Sequence, residues 1–350
     1  MKALFVGLGS IGQRHLRNLK KLNPEIDIIA FRSSRTAPVL SNDNKVVKNA
    51  TIKKHYDLIE FDSISDALNQ KPDMVFVTNP SSLHLNIAKK ALLNGAFVFI
   101  EKPLSHELQG VEDLINAEKR FEGKRVALGY HYRFHPMLKL LKKTLNKGKI
   151  GNLISANFVT GSYMPDWHPY EDYKNSYAAR KDLGGGALLS QIHDFDHAIW
   201  MFGRPERLFC VGGQLSNLKI DVEDSVKVLL EFKNKDKFLP VSINIDYLHW
   251  PPSRTISVIG DAGSIQCDLE KMKLVINDRI NNTFERLEFS AYSREDCFED
   301  EMSNFLAFVS NQEDITSDLI SGIESLKVAL AAKESMNSGQ VKKLKWNSYE

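Results

Sequence analysis

Cysteine is scarce in this chain: three in 350 residues, Cys210, Cys267 and Cys297, odd in number and far apart. No Cys-x-x-Cys pair occurs, so neither a zinc knuckle nor a disulfide framework is suggested, and a reducing compartment fits. An excess of charge is missing as well, with 46 Lys+Arg against 44 Asp+Glu. Basic clusters such as Lys53-Lys54 and Lys142-Lys143 then read as solvated faces, and nucleic acid is not expected as a partner. No run approaches the roughly 18 apolar residues of a membrane span. The opening MKALFVGLGS passes from a short apolar run straight into glycines, without the longer stretch and cleavage site of a secretory signal. Repeats and low-complexity linkers are absent. The expectation is a soluble, cytoplasmic protein without a membrane partner, long enough for two domains.

What is present is a change of texture partway along. Up to residue 128, strand and helix patterns alternate: Ala3-Leu4-Phe5-Val6, a helix through Leu22, Ile26–Phe31, Met74–Thr78, a helix His84–Asn94, Ala96–Ile100, a helix Glu107–Phe121, then Arg125–Gly129. That alternation predicts a doubly wound parallel sheet, an α/β Rossmann domain over 1–128. From 129 to 350 a helix Met137–Asn146 is followed by strands Leu153–Thr160, Leu208–Leu215, Ser225–Phe232, Leu239–Tyr247, Thr255–Ile259 and Ser264–Asp268. These predict an α+β domain with an open-faced, mainly antiparallel sheet for substrate binding and oligomerisation. A helix Ala187–Phe202 interrupts the strands, and helices Phe298–Ser310 and Asp318–Asn337 close the chain, the last able to pack back on the first domain.

Gly7-Leu8-Gly9-Ser10-Ile11-Gly12 has the spacing G-x-G-x-x-G between a strand and a helix. The first glycine permits the tight turn, the second admits a pyrophosphate against the backbone, and the third lets helix pack on strand. The helix N-terminus adds free N–H groups and partial positive charge, which assigns Gly7, Gly9, Ser10, Ile11 and Gly12 to the cofactor. An NAD site calls for an acid about twenty residues on, to accept from the ribose 2′-OH. The chain has Phe31-Arg32-Ser33-Ser34-Arg35 instead. Arg32, Ser33 and Arg35 suit a 2′-phosphate, so NADP is expected over NAD.

Glu101-Lys102-Pro103 follows the AFVFI strand, and a strand's carboxyl end opens on the cofactor crevice of such a sheet. Together, GLGSIG, TNPSSLH (Thr78–His84), EKP, GYHYRFHP (Gly129–Pro136) and LGGGALLSQIHDFDHAIWMFG (Leu183–Gly203), in this order, resemble the glucose–fructose oxidoreductase / inositol dehydrogenase family (Gfo/Idh/MocA). The resemblance runs over nearly the whole chain. It implies that Lys102 touches both cofactor and substrate, that Thr78, Asn79, Pro80, His84 and Glu101 line the nicotinamide and ribose side, and that the open sheet pairs subunits as a homodimer or homotetramer. It also places the catalytic histidine at His193.

On the Ala187–Phe202 helix, Leu188, Ile192, Phe195, Ile199 and Phe202 form a core stripe. His193 and Asp196, three apart beside it, suit a histidine oriented by a carboxylate. Many family members place an aspartate where this chain has Ser190, which leaves Asp194 and Asp196 as substitutes, or Lys102 and His193 acting alone. His193 and His197 have a spacing seen in zinc sites, and so do His131 and His135, but hydride transfer needs no metal and none is expected. Gly184-Gly185-Gly186 opens the helix, whose N–H groups would suit an anionic part of a substrate. His131, Arg133, Tyr177, Arg180 and Asp196 are the candidate substrate contacts.

These readings imply an NAD(P)-dependent dehydrogenase or reductase acting on a carbinol or keto carbon of a sugar, sugar acid or nucleotide sugar, in bacterial surface-sugar biosynthesis. The rivals are a non-catalytic sensor of NADP or sugar, and a glycosidase that uses a tightly bound NAD for transient oxidation.

Overall fold

The computed structural model describes residues 1–34 and 36–346, and its chain divides into two compact units. The first comprises Met1–His131, His168–Asp172 and Glu295–Ile323; the second comprises Tyr132–Trp167, Tyr173–Arg294 and the chain from Glu324 onward.

The first unit is built on six short strands: β1 (Lys2–Val6), β2 (Asp27–Phe31), β3 (Ile59–Phe61), β4 (Met74–Val77), β5 (Phe97–Ile100) and β6 (Val126–Leu128). Their order is β3-β2-β1-β4-β5-β6, and every pairing is parallel. A parallel sheet is covered on both faces, which is why β4 reads MVFV and is buried at every position. The connecting helices are α1 (Ser10–Leu22), α2 (Ile52–His55), α3 (Ile64–Asn69), α4 (His84–Leu93) and α5 (Val111–Glu118). Strand order reverses between β1 and β4, so the turns after these two strands flank the crevice where such sheets take ligands.

In the second unit, α6 (Pro136–Asn146) precedes β7 (Leu153–Gly161), and two short helices follow, α7 (Ala187–Ser190) and α8 (His193–Phe202). Then come β8 (Pro205–Gly213), β9 (Ser225–Asn234), β10 (Lys237–Asp246), β11 (Ser253–Gly260), β12 (Gly263–Asp268), β13 (Lys273–Asp278) and β14 (Thr283–Glu288). The chain ends in α9 (Arg294–Val309), α10 (Leu319–Ser338) and β15 (Lys342–Lys343). The nine-stranded sheet runs β14-β13-β12-β11-β7-β10-β9-β8-β15, antiparallel except where β7 pairs with β10. Alternation sets its two faces: Val226, Val228, Leu230 and Phe232 of β9 point into the core, and Lys227, Leu229 and Glu231 point away. The outer face carries exposed Val211, Leu229 and Ile259 beside a polar ladder in which Asn157 accepts from Ser242 and Asn244.

Three departures from the sequence reading have physical causes. The Ala187–Phe202 helix is two helices, broken at Gln191-Ile192, so His193 opens α8 instead of lying inside a longer helix. Strands β13 and β14 were not foreseen; β14 is nearly all exposed and therefore shows no burial period. The chain from Glu295 to Ile323 belongs to the first unit. There α9 sets Phe305 against Phe76 and Phe99, with ring centroids 5.4 Å apart in both cases, and Phe308 against Phe97 at 5.3 Å. Each buried ring of this kind contributes about 1.5–3 kcal/mol. The Leu128 N–H then donates to the Ser317 carbonyl and the Ser317 hydroxyl to the Leu128 carbonyl, which covers the free edge of β6. Among the described residues no helix is long and apolar enough to cross a membrane.

Candidate active site

The glycine turn connects β1 to α1 at the strand-order reversal. Gly7 has φ +97°, and a Cβ there would lie 2.7 Å from the Asn79 nitrogen. A Cβ on Gly12 would lie 2.3 Å from the Gly7 carbonyl oxygen and 2.8 Å from Thr78 Oγ1. Glycine at these two positions is therefore demanded by the protein's own packing. Gly9 differs: a Cβ there would meet no protein atom within 4 Å. Nothing in the fold requires a bare backbone at Gly9, whereas a pyrophosphate lying against it does. The N-terminus of α1 also has no side-chain cap and no acidic residue in its first turn, so its amides suit an anion. The Thr78 hydroxyl donates to the Gly7 oxygen over 2.6 Å and pins the turn to the end of β4.

At the end of β2, Arg32 is buried and donates from Nη1 to Glu60 on β3 over 2.7 Å. Its Nη2 has no partner among the described residues. Ser33 is exposed beside it, and Arg35 lies outside the described residues. Gln13, fully buried on α1, was not foreseen; its amide accepts from the Leu40 N–H and donates to the Leu8 and Pro38 carbonyls, which fixes the loop after β2.

The ends of β4 and β5 are tied together by His84. Its Nδ1 lies 2.9 Å from the Pro103 oxygen and its Nε2 2.8 Å from the Asn79 oxygen. Burial lowers its pKa while these carbonyls pull the other way, so the ring holds the two loops in a fixed relation. Pro80 follows Asn79 in the first of them, and the Lys102-Pro103 peptide in the second is cis. Glu101 is anchored twice, by His15 Nε2 at 2.6 Å and by the Lys102 peptide N–H at 3.0 Å. Burial raises the Glu101 pKa, yet the hydrogen bond to His15 and the electrostatic pull of His15 and Lys102 outweigh it and keep the carboxylate below its usual range. Lys102 itself is half-buried. His131, a candidate substrate contact, stacks on Phe298 with centroids 4.0 Å apart.

Glu301 shares this compartment and was also not foreseen. It is 3% exposed, both its oxygens lack hydrogen-bond partners, and it lies on α9 between Phe298 and Phe305. Burial pushes its pKa well above the carboxylate range, and the Glu101 charge adds to the shift. The folded state therefore keeps a proton that the unfolded chain loses above about pH 4.3. Because the native state then binds more protons, stability falls as pH rises through that window. We predict that Glu301→Gln melts at the wild-type temperature near pH 3–4 and progressively above it toward neutrality; a gain of ~1 kcal/mol in a unit of this size would raise it by about 2–4 °C. A melting difference that stays constant across pH would contradict this reading.

In the second unit, His193 opens α8 with Tyr132 edge-on at 5.0 Å and His197 stacked at 6.2 Å. Arg133 is held by Asp196 in a buried bidentate pair, at 2.6 and 3.0 Å. The structure thus gives Asp196 a role other than the expected orientation of His193: both carboxylate oxygens serve the guanidinium. Asp194, the other proposed substitute, accepts from Thr160 at 3.0 Å and lies 3.6 Å from Arg254. Arg254, missed in the sequence, is buried over the Tyr132 ring at 4.7 Å and donates to Gln191. The Tyr247 hydroxyl, close to Ser190, donates to the Ala178 carbonyl over 3.3 Å. His197 is buried with neither ring nitrogen partnered, and burial, aided by Arg254 and Arg133, lowers its pKa far enough to keep it neutral. Among the described residues no group of three or more His, Cys, Asp or Glu is placed to hold a metal ion.

The Gly184–Gly186 opening does not present free amides to a ligand. The Ala187 N–H donates to the Glu223 carbonyl and the Leu188 N–H to the Glu223 carboxylate. A Cβ on Gly185 would lie 2.4 Å from the Tyr177 oxygen, and one on Gly186 2.3 Å from Glu223 Oε1. These glycines serve internal packing, and an internal carboxylate satisfies the helix end. Tyr177 is half-buried, and the exposed Arg180 is paired bidentately with Asp182 at 2.6 and 3.0 Å, which neutralises much of its charge locally.

A fingerprint turn at the reversal point of a 3-2-1-4-5-6 parallel sheet, followed in sequence by an open-faced mixed sheet, defines a two-part nucleotide-dependent oxidoreductase. The model described as "Oxidoreductase family, NAD-binding Rossmann fold" matches residues 1–130, and the "GFO/IDH/MocA C-terminal domain" matches residues 138–266. This chain belongs to the Gfo/Idh/MocA oxidoreductase family. It is 27% identical over 352 residues to the myo-inositol 2-dehydrogenase of Thermotoga maritima, with 98% of each chain covered. Among solved structures it resembles the WlbA dehydrogenase of Bordetella pertussis in complex with NADH and UDP-GlcNAcA, with TM-score 0.78, 19% identity and 99% of both chains covered. The myo-inositol 2-dehydrogenase of Lactobacillus plantarum matches equally, with TM-score 0.78, 19% identity and 99% of both chains covered.

Proposed function

We propose that this oxidoreductase moves a hydride between a nicotinamide dinucleotide, NADP in preference to NAD, and a carbinol or keto carbon of a sugar, sugar acid or nucleotide sugar. The observation that carries the reading is the glycine turn, where Gly9 is bare for no reason internal to the protein. The lack of an acid at the end of β2, and the unpartnered Nη2 of the buried Arg32, favour a 2′-phosphate there. The sugar class is supported by the inositol dehydrogenase of Thermotoga maritima and by the WlbA complex with UDP-GlcNAcA. When bound, the dinucleotide supplies the hydride donor or acceptor. In this reading Thr78, Asn79, Pro80, His84 and Glu101 shape the cofactor side. The Lys102 ammonium polarises the reacting oxygen or relays its proton, and His193 is the acid and base. Arg133, held by Asp196, offers a fixed cation to the substrate together with His131, Tyr177 and Arg180. The outer face of the nine-stranded sheet joins subunits in a homodimer or homotetramer, and the product serves surface-sugar biosynthesis.

The test is incubation of the purified protein with NADP and with NAD over a panel of polyols, sugar acids and nucleotide sugars. Growth of reduced-nicotinamide absorbance with one member is the expected result, faster with NADP. Release of free sugar without net cofactor change would replace the reading by hydrolysis through transient oxidation. Dinucleotide binding without either reaction, over the whole panel, would leave a sensor.

A further inference from the structure

His193 opens α8 directly after the break at Gln191-Ile192, so its ring is placed by whatever holds that break. No side chain caps α8, and across the bend the Asp194 N–H donates to the Gln191 carbonyl over 3.3 Å, a long bond. The sheet supplies the firmer hold. Arg254 of β11 stands directly opposite Thr160 of β7, so the two share one face of the antiparallel pair, and both are buried. Each takes one oxygen of Asp194: the Thr160 hydroxyl donates to Oδ1 over 3.0 Å, and Arg254 Nη1 lies 3.6 Å from Oδ2, a contact between charges. Arg254 Nη2 donates to Gln191 Oε1 over 2.8 Å. Its guanidinium carbon lies 4.7 Å from the centre of the Tyr132 ring, which meets His193 edge-on at 5.0 Å. One guanidinium thus reaches the residue two before His193, the residue after it, and the ring beside it. A buried ion pair adds little net stability, and an apolar side chain at this inward position would pack the sheet at less cost. What the arginine adds is a planar fork that a lysine could not supply.

We propose that Arg254 is a positioning residue for His193: by holding Gln191, Asp194 and Tyr132 together, its guanidinium fixes the His193 imidazole in the geometry that proton transfer needs. The proposal rests on the reading of His193 as the acid and base. Misplacing a reacting group by about 1 Å costs on the order of 10²-fold in rate, so the effect falls on turnover. Substrate affinity is spared, because Arg133 is held separately, by Asp196.

The first experiment needs no substrate. In protein carrying ¹⁵N-labelled histidine, the His193 ring signals are identified by their loss in His193→Ala. Arg254→Ala is expected to shift and broaden them, and millimolar guanidinium chloride to restore them where sodium chloride does not. Guanidinium is a denaturant, so recovery of this kind cannot come from general stabilisation. Unchanged signals, or a change that guanidinium does not reverse, would overturn the proposal. Gln191→Ala leaves the ion pair intact and serves if Arg254→Ala fails to fold; it too should shift the His193 signals, and their constancy would equally overturn the proposal. The second experiment uses whichever member of the sugar panel is turned over. There Arg254→Ala should lose about 10²-fold in kcat with KM within about threefold, and guanidinium should recover about tenfold of the loss. A raised KM at unchanged kcat would make Arg254 a binding residue and overturn the proposal. Wild-type turnover in His193→Ala would instead overturn the reading of His193, a different result from an inactive His193→Ala beside a fully active Arg254→Ala.

Discussion

Turnover of the Lys102→Met enzyme is expected to fall by about 10²–10⁴-fold, the usual range for removing a positioned acid–base group, while the affinity for the dinucleotide changes little. The asymmetry follows from the way residue 102 is held. Glu101 grips the peptide N–H of residue 102, not its side chain, and Glu101 is itself fixed by His15. Methionine keeps the length and leaves this anchor in place, so only the ammonium is lost. The check is a comparison of kcat and of the dissociation constant on the same preparations, once the substrate panel has given a reactive sugar. A variant with wild-type turnover would remove Lys102 from the chemistry. A variant that bound dinucleotide far more weakly would recast the lysine as a cofactor anchor.

Gly12→Val is expected to abolish dinucleotide binding and to lower the melting temperature of the nucleotide unit. The first added carbon would sit 2.3 Å from the Gly7 oxygen, an atom that already accepts the Thr78 hydroxyl at 2.6 Å. Because the obstacle is backbone, α1 must be forced away from β1 before valine fits, and overpacking of this kind costs about 1–3 kcal/mol or more. With the amides of α1 displaced, the loss in affinity should exceed about a hundredfold, equivalent to ~2.7 kcal/mol. Thermal melting and titration together decide the matter; a variant that melts and binds like wild type would show that the close packing of α1 on β1 is not needed.

The sequence exposed the first sheet almost strand by strand because its strands are buried on both faces and stand out as apolar runs between helices. Short β3 was the exception. The glycine turn was legible for the same reason, since it is punctuation between two strong periodic signals. On the second sheet, strands with one solvated face could be read from alternation, but β14 could not, because an exposed edge strand imposes no alternation. The helix Ala187–Phe202 looked continuous because its core stripe, Leu188 to Phe202, keeps its spacing across the break at Gln191-Ile192. Side-chain partners were harder still. Asp196 stands three residues from His193, and nothing in the sequence announces that Arg133, 63 positions earlier, takes both of its oxygens. The same is true of Glu223 closing the α7 amides from 35 residues away. Some missed residues did leave a trace. Arg254 occupies an inward position in the alternating β11, Glu301 interrupts an apolar helix stripe between Phe298 and Phe305, and Gln13-Arg14-His15 puts three polar residues on a helix that must bury its face. A polar residue at a position the pattern reserves for the core is a sign of a partner elsewhere in the chain.

The central claim is that Gly9 is bare for the sake of a bound dinucleotide, and titration of wild type and Gly9→Ala with NADPH and NADH tests it most directly. The wild-type chain should bind both, NADPH more tightly. Gly9→Ala should melt at the wild-type temperature, because its methyl group meets no protein atom within 4 Å, and should lose about tenfold or more in affinity for both. Equal binding by the two proteins, or no binding by wild type, would contradict the account.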